Sequence, residues 1–183
     1  MPLTWQQAVL GFWFDELTPK DWFEKNDSVD QRVRDLFLAT YESVSRAVDS
    51  EQELASPAAT LATLIVLDQF PLNLFRGTPR AFESDAKALA LAHAAVDRGL
   101  DVQIEAPRRI FIYLPFEHSE ALVDQNRSVA LFEQLGDPEY LRFAIAHHDI
   151  VSRFGRFPHR NATLGRTSTP EELAFLATPG SGF

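Results

Sequence analysis

Four arginines and one histidine, with no acid among them, are strung along "RFGRFPHRNATLGR", Arg153 to Arg166, in a chain whose net charge is −9. Guanidinium groups gathered this way repel one another unless an anion or distant carboxylates sit between them. The stretch is therefore either an anion site or one side of an internal salt-bridge network. At helical spacing Arg153 and Arg156 share one side, while Phe154 and Phe157 share another and can anchor the segment. A helix C-terminus attracts cations through its macrodipole, which accounts for Arg153 and Arg156. It does not account for Arg160 and Arg166, which follow the helix-stopping Gly155 and Pro158. His159 and Asn161 stand in the same forced turn and add hydrogen-bonding groups.

Other polar residues sit against the grain of apolar stretches. Asp68 lies near the end of the most apolar segment, "LATLIVLDQF", where a buried carboxylate needs a cation. Arg76 or an arginine of residues 153–166 is the expected supply, either as a structural tie or to orient an arginine toward a ligand. Counting from Pro115, helical spacing places His118, Leu122, Gln125, Val129 and Phe132 on one face, with Glu117 and Glu120 beside the histidine in the first turn. His118 is then either a core histidine or a group poised for acid–base work. His147 falls on the stripe Tyr140, Phe143, His147, Ile150, Phe154, with the same two readings. No His-Glu-x-x-His or Glu-x-x-His spacing is present, so no metal is expected. No glycine-rich phosphate loop, Gly-x-Ser-x-Gly elbow or dinucleotide fingerprint occurs, and no cofactor is expected.

The elements that must carry these groups read as helices almost throughout, with no alternating strand and no hairpin signal. The spacing predicts a helix over Trp5–Phe14 capped by Thr4, then a loop that keeps Trp22 and Phe23 for the core. A long helix follows to about Val48, capped by Asp27 or Ser28, with the stripe Val29, Val33, Leu36, Phe37, Tyr41 and Val44. Ser56 and Pro57 open a central helix that Pro71 is expected to stop. A helix from Ser84 to Arg98 ends at Gly99. "APRRIFIYLPF" gives a short helix, Pro115 begins another reaching Leu135, and Pro138 opens one through Phe154. Thr169, Pro170 and Glu172 make a capping box for a last helix, and residues 178–183 are expected to fray. The result is one all-α domain, residues 1–183, of stacked antiparallel helix pairs joined by short connections.

Composition narrows the function classes. The chain has no cysteine, which excludes disulfides, zinc–thiolate sites and a thiol nucleophile. The start lacks a basic n-region, and no apolar run approaches the ~18–20 residues of a membrane span, so a cytoplasmic protein with no membrane partner is expected. The acidic whole argues against nucleic acid, whereas five basic groups against one acid over residues 142–166 suit a compact anion.

Three stretches, "LDQFPLNLFRGTPRAFESDAKALA", "FIYLPFEHSE" with Gln125 following, and "HHDIVSRFGRFPHRNATLGRTSTPEE", together resemble the mainly bacterial family known as domain of unknown function 924. "GFWFDE" near the start extends the resemblance over nearly the whole chain. It implies an all-helical, tetratricopeptide-like fold and no established activity. The family motifs fall on Asp68, Gln69, Asn73, Arg76, His118, Glu120, Gln125, His147, Arg153, Arg156, His159, Arg160, Asn161 and Arg166. The family pattern also implies arginine where this chain has Leu72, one cation fewer near these residues.

The leading expectation is a binding protein for a small anion or an anionic peptide end. Asp68, Arg76, His118, Gln125, His147, Arg153, Arg156, His159, Arg160, Asn161 and Arg166 would line its site. A hydrolase or lyase acting on a phosphorylated or carboxylated metabolite, with His118 as acid–base, is the second reading. A scaffold holding a partner helix is the third.

Overall fold

The computed structural model describes residues 3–47 and 50–182, by backbone alone at residues 50 and 51. Val48 and Phe183, on which two of the expected boundaries fall, lie outside these. The described residues are helical without a strand. They divide into two compact units, Met1–Arg76 with Arg80–Pro115, and Gly77–Pro79 with Phe116–Phe183.

In the first unit α1 (Trp5–Gly11) starts at Thr4, whose side chain accepts from Gln7 in a capping box. It widens into a π-helical turn over Phe12–Glu16. α2 (Pro19–Phe23) occupies the segment read as a loop. Trp22 is half-buried there, but Phe23 is exposed, because its place at the end of a one-turn helix leaves the ring outside. α3 (Asp27–Ala47) buries Val29, Val33, Phe37, Tyr41 and Val44; Leu36 is exposed, one step off that stripe at 100° per residue. Asn26, one residue earlier than expected, is the cap, accepting from the N–H groups of Ser28 and Val29.

After the short α4 (Ser50–Glu53), α5 (Pro57–Leu64) begins at Ser56, which accepts from Ala59. A π turn over Ile65–Gln69 leads into α6 (Phe70–Leu74). Pro71 thus does not stop the segment. Proline offers no N–H to the Leu67 carbonyl one turn back, and the Ser84 hydroxyl donates to that carbonyl instead, at 2.6 Å. α7 (Asp85–Asp97) ends ahead of Gly99, which takes a positive φ of 66°. Trp13 is the centre of the core, edge-on to Phe70 and Phe111 at 5.7 Å each.

α8 (Ala106–Glu117) also runs through its proline, Pro115, so the expected start there is displaced. The chain breaks later, over residues 118–121, where Ser119 Oγ accepts from Ala121 N and donates to Asp124. In the second unit α9 (Leu122–Leu135) ends at Gly136, φ 81°. α10 (Pro138–Phe154) is capped by Asp137 and ends at Gly155, φ 69°. α9 and α10 form an antiparallel hairpin, with His148 Nε2 3.0 Å from Asn126 Oδ1 across it. α11 (Pro170–Leu176) carries the expected Thr169 capping box.

Candidate functional site

Asp68 and Arg76 belong to the first unit, and the other residues read from the sequence as a site belong to the second. In the first unit Arg76 does not serve Asp68. Its guanidinium takes both oxygens of Asp30, Nε to Oδ2 at 2.9 Å and Nη2 to Oδ1 at 2.8 Å, and Asn73 adds a third bond to that carboxylate. These bonds outweigh partial burial and hold Asp30 below the ordinary carboxylate range. Asp68 is buried and accepts from Gln69 Nε2 at 2.6 Å.

The second unit is built outward from the end of α10. Gly155 turns the chain out of the helix, and Phe157 drops fully buried among Ile150, Val151, Phe154 and Phe175. With that ring anchored, the arginines are forced outward to different partners. Arg153 reaches Glu171, both largely exposed. Arg156 makes a bidentate pair with the buried Glu172, Nε to Oε1 at 2.6 Å and Nη2 to Oε2 at 2.8 Å, and donates to Thr167 O. Asn161 donates to the same carboxylate at 3.2 Å. Arg156, then the Thr169 N–H, bring Glu172 down to about 2. Arg166 grips Glu120 in the same forked way at 2.6 and 2.9 Å, and also binds Asn161 Oδ1 and Phe157 O. Burial pushes Glu120 up, but Arg166 and the Phe157 N–H hold it below the ordinary carboxylate range. The cation-rich stretch is thus braced by Glu120, Glu171 and Glu172.

Inside this brace lie imidazoles. The His147 ring is 5.6 Å from the Phe157 ring and 6.5 Å from that of His118, while His159 is 5.5 Å from Phe157 on its own side. Arg160, buried, lies over the same phenyl ring at 5.0 Å. His147 Nδ1 is 2.9 Å from Phe143 O and 3.2 Å from Glu117 Oε1. A carbonyl only accepts, so Nδ1 carries the proton. Burial pushes His147 down to about 3, against the bond to Phe143 and reinforced by His118, His159 and Arg160. The ring is therefore neutral at pH 7. Burial, then Arg160, bring His159 down to about 4.

His118 is not on a helical face with Gln125, because the chain breaks directly after Glu117. Glu117 ends α8 instead of opening a helix, and it is buried. Gln125 joins the two sides, donating from Nε2 to Phe116 O, Glu117 O and Ser119 O at the end of α8. Glu117, Ser128, Glu171 and Glu172 are the groups that sequence reasoning left out of the site. Glu172 carried a signal in its place in the capping box and Glu117 in its place beside His118, while Ser128 and Glu171 carried none. Among the described residues no group of three His, Asp or Glu side chains could hold a metal ion, and no helix is long and apolar enough to cross a membrane.

Comparison with known proteins gives a family without an activity. The model of the family described as "Bacterial protein of unknown function (DUF924)" matches residues 9–180. The chain is similar to the solved structure of a protein of unknown function, ATU0120, from Agrobacterium tumefaciens. The two share 38% identity and a TM-score of 0.89, over 94% of this chain and 96% of that one. No curated protein matches. The chain belongs to this family.

Proposed function

We propose that this member of the bacterial family of unknown function holds a small anionic ligand in its second unit, at the imidazole–guanidinium cluster of His118, His147, His159 and Arg160. The observation that carries the reading is the gathering of two imidazoles, His147 and His159, and one buried guanidinium, Arg160, around Phe157, with the His118 ring beside that of His147. Bringing like groups together while burying them is costly, as the lowered values of His147 and His159 record, and an anion relieves that cost. Arg153, Arg156 and Arg166, in this reading, are the frame; their carboxylate partners keep them in place. The reading includes a cytoplasmic, tetratricopeptide-like helical protein with no nucleic-acid partner, supported by the absence of cysteine and the net charge of −9.

The test is a thermal-shift panel at fixed ionic strength, with phosphate, sulfate, nucleotides, sugar phosphates, acyl carboxylates and chloride. A bound anion at ~100 times its Kd adds about 2.7 kcal/mol of stability. The shift is expected to be selective, absent in Arg160→Gln and in His118→Gln, and retained in Arg153→Gln. No selective shift in the unaltered protein sinks the proposal.

One observation favours the enzymatic reading, a hydrolase or lyase on a phosphorylated or carboxylated metabolite. Glu117 and Phe143 O fix the His147 tautomer from one side, so that Nε2 is the ring nitrogen that would take a proton in a general-base step. In that reading His147, more than His118, takes the proton, and a pH–rate limb lost in His147→Gln but kept in His118→Gln distinguishes them.

A further inference from the structure

Gln125 and Ser128 stand three residues apart on α9, so their side chains share one face of it, and neither has any exposed surface. The Gln125 amide can face only one way. Its neighbours at the end of α8 are the carbonyls of Phe116, Glu117 and Ser119, at 3.4, 2.7 and 2.6 Å. Carbonyls accept and never donate, so Nε2 is turned to them and Oε1 away. Oε1 is buried, and no described residue donates to it; Ser128 Oγ, also buried, has no partner among the described residues either. An unmatched buried polar atom is destabilising, and here two lie on the same face. The Asn126–His148 bond fixes the register of α9 against α10, which places Gln125 and His147 within ~3 Å of each other along the hairpin axis. Gln125 also binds the backbone of Glu117, whose side chain meets His147.

We infer that Gln125 Oε1 and Ser128 Oγ receive a hydroxyl carried beside the anionic head of the ligand. This rests on the anion-binding reading and names its class: a hydroxylated anion, such as a hydroxy acid or a polyol phosphate, in preference to an acyl carboxylate or an alkyl phosphate. The choice of hydroxyl follows from the two atoms. Oε1 can only accept, whereas the serine hydroxyl has a proton to give and needs an acceptor. One hydroxyl answers both, donating to Gln125 and accepting from Ser128. An ammonium could only donate, and would add a cation to a unit where Arg160 already depresses His147 and His159.

Matched probes test this by calorimetry: glycerol 3-phosphate against propyl phosphate, and lactate against propionate, each on the unaltered protein and on Ser128→Ala. The hydroxylated member of at least one pair is expected to bind about tenfold more tightly, the size of one well-made buried hydrogen bond. Ser128→Ala, which removes a hydroxyl left unmatched in the protein alone, should keep or raise Tm and cut that preference below about threefold. Equal binding within every pair that binds overturns the hydroxyl assignment and leaves the anion reading standing, as does binding of another panel anion with none of the four. Silence of the four probes and of the whole anion panel overturns both. A water fixed between Gln125 Oε1 and Ser128 Oγ in crystals with and without a bound probe also overturns the assignment.

Discussion

At the scale of the residue, two glutamates that are neighbours in sequence have different weight. Glu171 meets Arg153 in the open, at 2.9 Å with both side chains more than half exposed, and exposed pairs of this kind contribute about 0–1 kcal/mol. Glu172 is 2% exposed and serves Arg156, Asn161 and the Thr169 N–H together. Glu172→Gln is therefore expected to lower Tm clearly, and Glu171→Gln to leave it almost unchanged; equal effects in a melting experiment would contradict the assignment. The arginines were legible in the sequence as a cluster with no local acid. Their partners were not, because an arginine finds its carboxylate through the tertiary path of the chain. Glu120 lies 46 residues from Arg166, and nothing in local spacing joins them. The same limit applied to Arg76, whose partner Asp30 is also 46 residues away, and to Gln125 and Ser128, whose unmatched atoms exist only once their surroundings are packed.

At the scale of the element, the glycines, three of the caps and the prolines that open helices were read correctly, and the two prolines inside helices were not. Thr4, Ser56 and Thr169 each have a side chain that meets the orphan N–H groups of a helix start, a strictly local arrangement. Pro71 and Pro115 looked like boundaries because proline removes a helical hydrogen bond. At Pro71 a tertiary group decides otherwise, since Ser84 takes the carbonyl behind it; α8 runs through Pro115 and ends two residues later. Ser84→Ala should accordingly cost about 1–3 kcal/mol, the penalty of a buried carbonyl left unmatched, measured by urea unfolding; a cost under ~0.5 kcal/mol would show that the carbonyl has another donor. α11 is seven residues long, below the length at which a helix holds alone. Its amides should lose hydrogen-exchange protection in Glu172→Gln while those of α10 keep theirs.

At the scale of the molecule, the buried histidines make stability depend on pH. Unfolded, His147 and His159 titrate near 6.5; folded, they are brought down to about 3 and about 4. Below 6.5 the unfolded chain therefore binds more protons, and stability falls with falling pH through that window. Glu172, lowered from 4.5 to about 2, adds a further loss below pH 4.5 in the same direction. Tm should drop steadily from pH 7 to pH 4, and the drop should be shallower in His147→Gln; a flat profile in the unaltered protein would refute the burial of neutral imidazoles. The all-helical class was legible from periodicity, whereas the division into two units, falling inside α8 after Pro115, was not, because helical spacing continues across it.

That division has a consequence in time. Apart from Gly77–Pro79, the first unit ends at Pro115 and the second begins at Phe116. A chain made from its N-terminus at ~5–20 residues per second completes residues 116–183 roughly 3–14 s after residue 115. Helical packing of this kind is settled in far less than a second. During synthesis the Trp13 core has time to close before the arginines and carboxylates of the second unit exist to compete for partners.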